Sequence, residues 1–299
     1  MQRILHRNKG YMKKQGVYYV HHRHMRKKFT VPCQSNAYMH AGVHRNTVIN
    51  DQQLREITRE FFAPIREAKP RRLILSDENL AGHCGHCVKF GQLYRFRDPF
   101  MKATAGEIPY PVREVHLAVR NYADFFAAAY VEYVRALQEN SPDFIFPQTM
   151  TEKVFKLLPG WVGVIDRVKV YFPEAQIYVW TFEDFRSDPL LANQILSNLA
   201  GSEVDVRKFK NPKDSKQRPS ASARAMDEIQ GLVLSDGIAE ASKHIREIQE
   251  RFPRDKENKG FDPWSEWERH HLSNLYEKDL ARLSKDSAIT IVRPKPLFS

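Results

Sequence analysis

Three short apolar runs, each ending at a polar or turn-forming residue, constrain this chain most. They are Arg72-Leu73-Ile74-Leu75-Ser76, Val115-His116-Leu117-Ala118-Val119 and Gln176-Ile177-Tyr178-Val179-Trp180. Runs of three to five residues, mostly apolar, are too short for helices and fit strands buried on both faces. Helical patterns separate them. Asp51 is positioned to cap a helix to about Glu67, with Leu54, Ile57, Phe61, Phe62 and Ile65 as its apolar stripe and Pro70 beyond its end. Tyr122 to Leu137 is alanine-rich, with Phe125, Phe126, Ala129, Tyr130 and Tyr133 on one broad face. Strand, helix, strand, helix predicts an α/β fold with a parallel sheet flanked by helices.

Ile4, Leu5, Asn8 and Met12 recur at helical spacing and Gly16 is a natural stop, so the chain opens with a helix. Val17-Tyr18-Tyr19-Val20 reads as a further strand. Residues 30–50 lack periodicity and read as loop, and 79–112 read as a long excursion rich in Gly, Pro and aromatics. One helix is predicted over about 151–171 and another after Asp188, over Leu190 to Leu199. Residues 207–220 read as a mobile basic loop within a single domain spanning 1–299. A helical C-terminal part runs to about Leu283, divided at Pro253 and Pro263.

The 299 residues carry a formal net charge of +11. Such an excess favours anionic partners. The run His21-His22-Arg23-His24-Met25-Arg26-Lys27-Lys28 reads as a solvated basic face, and no nucleic-acid-binding motif accompanies it. Nucleic acid is therefore not an expected partner. Three cysteines argue against a disulfide framework and suit a cytoplasmic location. No apolar run approaches the ~20 residues of a membrane helix. His83-Cys84-Gly85-His86-Cys87 contains metal-ligand types, but no second Cys-x-x-Cys exists and ligands such as Cys33 or His40 would have to be recruited. No metal is expected. The segment reads as a pocket wall, with His83 or His86 as a candidate base. Trp161, Trp180, Trp264 and Trp267 read as core or helix-packing residues.

The sharpest chemical feature is Arg120, at the end of a strand and just before a helix. Parallel sheets bind ligands at their carboxyl edge. A guanidinium there can grip a phosphate with its planar fork, aided by the N–H groups of the following helix.

Here the chain resembles the bacterial sulfotransferases. In that family a strand-ending Arg is followed by Asn-Pro-x-Asp, a Ser eight residues after the Arg and a Tyr two beyond. This sequence has Arg120-Asn121-Tyr122-Ala123-Asp124 and Tyr130, with Ala128 at the Ser position. The resemblance extends through Gln2, Leu5, Asn8, Met12, Gly16, Val17 and Tyr19 to the family's first helix. Ser76-Asp77-Glu78 resembles the end of its second strand, and Val179-Trp180-Thr181-Phe182-Glu183-Asp184 a later strand. Arg218-Pro219-Ser220 resembles a polar loop near the donor, and Tyr276 with Asp279 and Leu280 the closing helix.

The resemblance implies a P-loop nucleotide-binding-like fold. It also implies transfer of a sulfonate from 3′-phosphoadenosine 5′-phosphosulfate (PAPS) to a hydroxyl or amine of a glycan, lipid or small molecule. Arg120, Arg218 and Ser220 would hold the donor, without a metal. Glu78 would be the general base, with Asp77 as runner-up. Ala128 lacks the hydroxyl that the family uses on the 3′-phosphate. The family's Lys-Thr-Gly-Thr-Thr loop, which would hold the 5′-phosphosulfate, does not occur in these residues, and Gln2 aligns just after it. The register predicts a coding start upstream of Met1. The alternative is a degenerate member that binds nucleotide or polyanion without turnover.

Overall fold

The computed structural model describes residues 1–44, 47–212 and 221–294. Its strands form two small parallel sheets. Strand β1 (Val17–Val20) pairs with β2 (Arg72–Leu75), Val17 lying opposite Arg72. Strands β3 (Glu114–Val119), β4 (Gln176–Thr181) and β5 (Ile289–Ile291) follow in that order, with Glu114 opposite Gln176 and Ile177 opposite Ile289. The α/β class is as expected, but the single sheet is replaced by two, and the short β5 was not foreseen.

Helix α1 (Gln2–Lys14) stops at Gly16, whose φ of 76° suits a residue without Cβ. The basic run is a helical turn, α2 (His22–Met25), continued by a π-turn over Arg26–Thr30 into α3 (Val31–His40). It is not a purely solvated face, because Met25 and Phe29 are fully buried. Helix α3 corrects the expected loop. It buries Gln34 and Asn36 as well as Cys33, Ala37 and Tyr38, so no apolar stripe marks it in sequence. In α4 (Asp51–Ala68) the cap is Asn50, one residue earlier than expected, in a reciprocal capping box with Gln53. Thr58, and not Ile57, completes its buried face.

The 79–112 excursion contains α5 (Cys84–Phe90) and α6 (Arg97–Glu107). Helix α7 (Tyr122–Arg135) follows β3, capped by the Asn121 side chain on the Ala123 N–H. The helix expected over 151–171 is two, α8 (Pro147–Leu157) and α9 (Trp161–Tyr171). The break falls at Leu158, φ 48°, because Pro159 excludes the α conformation from the residue before it. After β4 come α10 (Phe182–Ser187) and α11 (Pro189–Ala200), the latter capped by Asp188. Helix α12 (Ala223–Arg251) is interrupted at Gly237, and α13 (Glu266–Leu283) precedes β5. Trp161, Trp180 and Trp264 are buried, but Trp267 is 67% exposed and stacks on Phe155 and His271.

Side chains alternate along the strands into two helical layers. Ile74 packs with Leu5 of α1 and Leu196 of α11, whereas Leu73 and Leu75 pack with Phe61 and Phe62 of α4. In the other sheet Ile177 and Val179 pack with α7 and α9, whereas Tyr178 and Trp180 pack with Leu191 and Leu199 of α11. Helix α11 therefore covers one face of both sheets. On the opposite face α6 contributes Met101 to one cluster and Ala103 to the other. Arg72 of β2 forms an ion pair with Glu114 of β3, which brings the amino ends of the two sheets together.

Candidate functional site

Because the amino ends of β2 and β3 adjoin, their carboxyl ends share one edge. Ser76-Asp77-Glu78 follows β2, Arg120 follows β3, and Phe182-Glu183 follows β4. The amino end of α1 reaches the same edge. The Gln2 side-chain amide donates to Glu78 Oε2 (2.9 Å) and to Ser76 Oγ (3.3 Å).

One end of this edge is saturated with partners. Arg26 Nη2 donates to Asp77 Oδ1 at 2.6 Å and lies 2.6 Å from Glu78 Oε1. Its Nε also donates to Asp77 Oδ1 (3.1 Å), and the Asn79 N–H donates to the same oxygen (3.1 Å). The Asp77 side chain is wholly buried, so the carboxylate considered as a second base is committed to holding Arg26 and the turn after β2. Glu78 is 59% exposed and faces the edge. Partial burial opposes its ionisation, but Arg26, its own backbone N–H and Gln2 outweigh this and hold the carboxyl below its usual range. It is ionised at neutral pH, which a base requires, and it is a weaker base than a free carboxylate.

The other end is built differently. The Arg120 guanidinium lies over the Phe182 ring, 4.9 Å from its centroid. Its buried Nε has no hydrogen-bond partner among the described residues. Burial lowers its proton affinity, against the pull of Asp124 and Glu183. It opens on a pocket of about 370 Å³ lined also by Asp124, Glu183, Arg186 and Ser187. Both carboxylates there are engaged elsewhere. Asp124 pairs with Arg269 (2.9 Å), and Glu183 accepts from the Asn121 N–H (3.1 Å) and the Tyr276 hydroxyl (3.4 Å). Trp161 Nε1 donates to the Arg120 carbonyl (2.8 Å), and the Tyr122 hydroxyl donates to Asp279. These bonds fix the strand end and the start of α7.

The fold thus brings Glu78, Asp77 and Arg120 to one edge. Arg218 and Ser220 lie outside the described residues. His83 and His86 sit at the start of α5 and pack against aromatic rings, His86 against Tyr38, Phe90 and Phe96. Cys87 is buried, its sulfur accepting the Tyr94 N–H (3.3 Å). Sequence reasoning missed Arg26 and Gln2 as partners of the acidic pair. It also missed three contiguous imidazoles: His6 and His22 flank His21 at ring separations of 4.0 and 4.3 Å. No helix among the described residues is long and apolar enough to cross a membrane. Comparison with protein-family models, curated proteins and solved structures gave no match.

Proposed function

We propose that this chain is sulfotransferase-like, with a P-loop nucleotide-binding-like fold, and that its strand edge binds a nucleotide sulfonate donor such as PAPS. The observation that carries the reading is Arg120: a half-buried arginine at a strand end, supported on Phe182, with a buried Nε that has no partner among the described residues, beside a pocket. A buried donor without an acceptor is costly, and a phosphate oxygen supplies the charge-assisted partner it lacks. The 3′-phosphate is the group assigned to Arg120. The other end of the donor would lie toward the amino end of α1, where unpaired helix N–H groups favour anions.

In this reading the acceptor hydroxyl or amine approaches from the Glu78 side. Its proton passes to Glu78 as the acceptor–sulfur bond forms, and the sulfur–oxygen bond to adenosine 3′,5′-bisphosphate breaks. The pairing of Glu78 with Arg26 favours a second reading, a nucleotide-binding protein without turnover, because that pair weakens the base.

Calorimetric titration with adenosine 3′,5′-bisphosphate tests the site. Binding is expected, weakening with salt, and Arg120→Ala is expected to abolish it. Binding that Arg120→Ala leaves unchanged refutes the assignment. Release of the bisphosphate from PAPS in the presence of hydroxyl and amine acceptors separates turnover from binding alone.

A further inference from the structure

Residues 1–50 contain ten Lys and Arg and no Asp or Glu, so nearly all of the net charge of +11 lies there and residues 51–299 are close to neutral. The fold turns part of this charge into a track. Leu5 and Met12 face the core from α1, whereas Lys9 and Lys13 are exposed. Gln2, His6, Lys9 and Lys13 recur at i, i+4, i+7 and i+11, which places them in one stripe along the helix, roughly 16 Å long at ~1.5 Å per residue. The stripe begins at the strand edge, where the Gln2 amide donates to Glu78 Oε2 (2.9 Å). Its middle adjoins the α2 turn, since the His6 ring lies 4.0 Å from that of His21. Lys9 and Arg23 both act on the His21 imidazole, so the cations of the two elements are neighbours. Lys9, Lys13 and Arg23 form no ion pair among the described residues, whereas Arg26 nearby is committed to Asp77 and Glu78.

We propose that this stripe, with Arg23 beside it, is the docking track of an acidic polysaccharide, which is thereby the acceptor class presented to Glu78. The acceptor part rests on the sulfotransferase-like reading, and the docking part does not. Each feature of the occupant follows from the surface. Exposed cations that no carboxylate of the fold neutralises call for a polyanion. A track that leads to a base calls for a polymer with free hydroxyls as well as charge, and sugar chains bearing carboxylate or sulfate groups carry both.

The same surface argues against other polyanions. A bilayer is a poor fit, because the apolar side of α1 is already buried and no large apolar side chain among residues 1–30 is exposed. Single-stranded nucleic acid needs free aromatic rings for stacking. Here Tyr11 is engaged edge-on with Phe209, and Tyr19 and Phe29 are buried.

The test measures binding of the full chain to a labelled decameric oligogalacturonate, by fluorescence anisotropy and without donor. Binding should weaken with salt and fall at least tenfold in Lys9→Glu/Lys13→Glu. The control Lys278→Glu/Lys285→Glu makes an equal change in net charge at exposed residues elsewhere and should lower binding less than twofold. All four side chains are exposed and form no ion pair among the described residues, so neither variant should lose stability. Equal losses in the two variants, or no binding at all, overturn the track. Tighter binding to a DNA duplex or to phosphatidylserine vesicles than to the sugar overturns the choice of polysaccharide. Bound sugar should also slow amide exchange at 76–80, beside Glu78, and protection confined to α1 overturns the acceptor part. Bisphosphate binding should be unchanged in Lys9→Glu/Lys13→Glu. A chain that docks the sugar on the track yet fails to bind bisphosphate refutes the donor reading and leaves the track in place.

Discussion

Arg26 and Arg120 sit at the same strand edge and have opposite fates. Arg26 is bound by two carboxylates, and the acidic turn after β2 is organised around it. Arg120 rests on an aromatic ring, and its buried Nε has no partner among the described residues. A saturated cation is accounted for by the fold. An unsaturated one at a strand end that opens on a pocket is placed to take a ligand oxygen as its acceptor. On the proposed reading, one end of the site serves stability and the other recognition.

The largest effect should come from the saturated end. Asp77→Ala leaves Arg26 without its buried partner and removes the acceptor of the Asn79 N–H. It should cost about 3 kcal/mol, read as a lowered urea midpoint. A loss under ~0.5 kcal/mol, the range of an ordinary surface change, would break the structural assignment. At the other end, Arg120→Ala should weaken bisphosphate binding tenfold or more, equivalent to ~1.4 kcal/mol or more. Its stability should change by less than about 1 kcal/mol, because the lost stacking on Phe182 is offset by removal of an unpaired buried donor. A variant that binds normally but unfolds readily would exchange the roles of the two arginines.

Only part of this contrast was legible in the sequence. The strands declared themselves because runs such as Leu73-Ile74-Leu75 are apolar on both faces. Arg120 was visible because it ends such a run before a helix. Its distinguishing property was not, since the Phe182 shelf comes from another strand's end and an unmet donor leaves no local mark. Arg26 lay hidden in a basic run, 51 residues from its partner Asp77. Helix α3 escaped notice because it buries Gln34 and Asn36, and the break before α9 was set by one Leu-Pro step. The division into two sheets depends on which strands lie side by side, and apolar pattern does not record that.

The histidines sharpen the comparison by bringing in pH. His6, His21 and His22 crowd beside the Arg26 end, and burial lowers the proton affinity of each, that of His21 to about 4. Neighbouring cations add to the effect, while Glu78 partly opposes it at His22. The unfolded chain, with ordinary imidazoles, then binds more protons than the folded one below about pH 6.5. Stability should be undiminished above that pH and decline as pH falls from 6.5 toward 4. For His21 the loss is on the order of 1 kcal/mol once solvent screening is allowed for. His21→Gln should flatten this limb of the stability–pH curve. A curve equally steep in both proteins would remove the cluster from the account.

Glu78→Gln should have the smallest effect on stability and is the closest test of what the Arg26 end does. Glu78 shares Arg26 with Asp77 but is more than half exposed. Exposed pairs contribute little, so the change should stay within about 0.5 kcal/mol, in contrast to Asp77→Ala. Gln keeps an oxygen for Arg26 and removes the group that accepts a proton. If the chain transfers sulfonate, turnover should fall by roughly 10²-fold or more with bisphosphate binding unchanged, since Arg120 is untouched. If the site binds without turnover, neither quantity should move. A loss of binding in Glu78→Gln would mean that the two ends of the edge are not separable, and that Arg26, once released from Glu78, competes for the ligand assigned to Arg120.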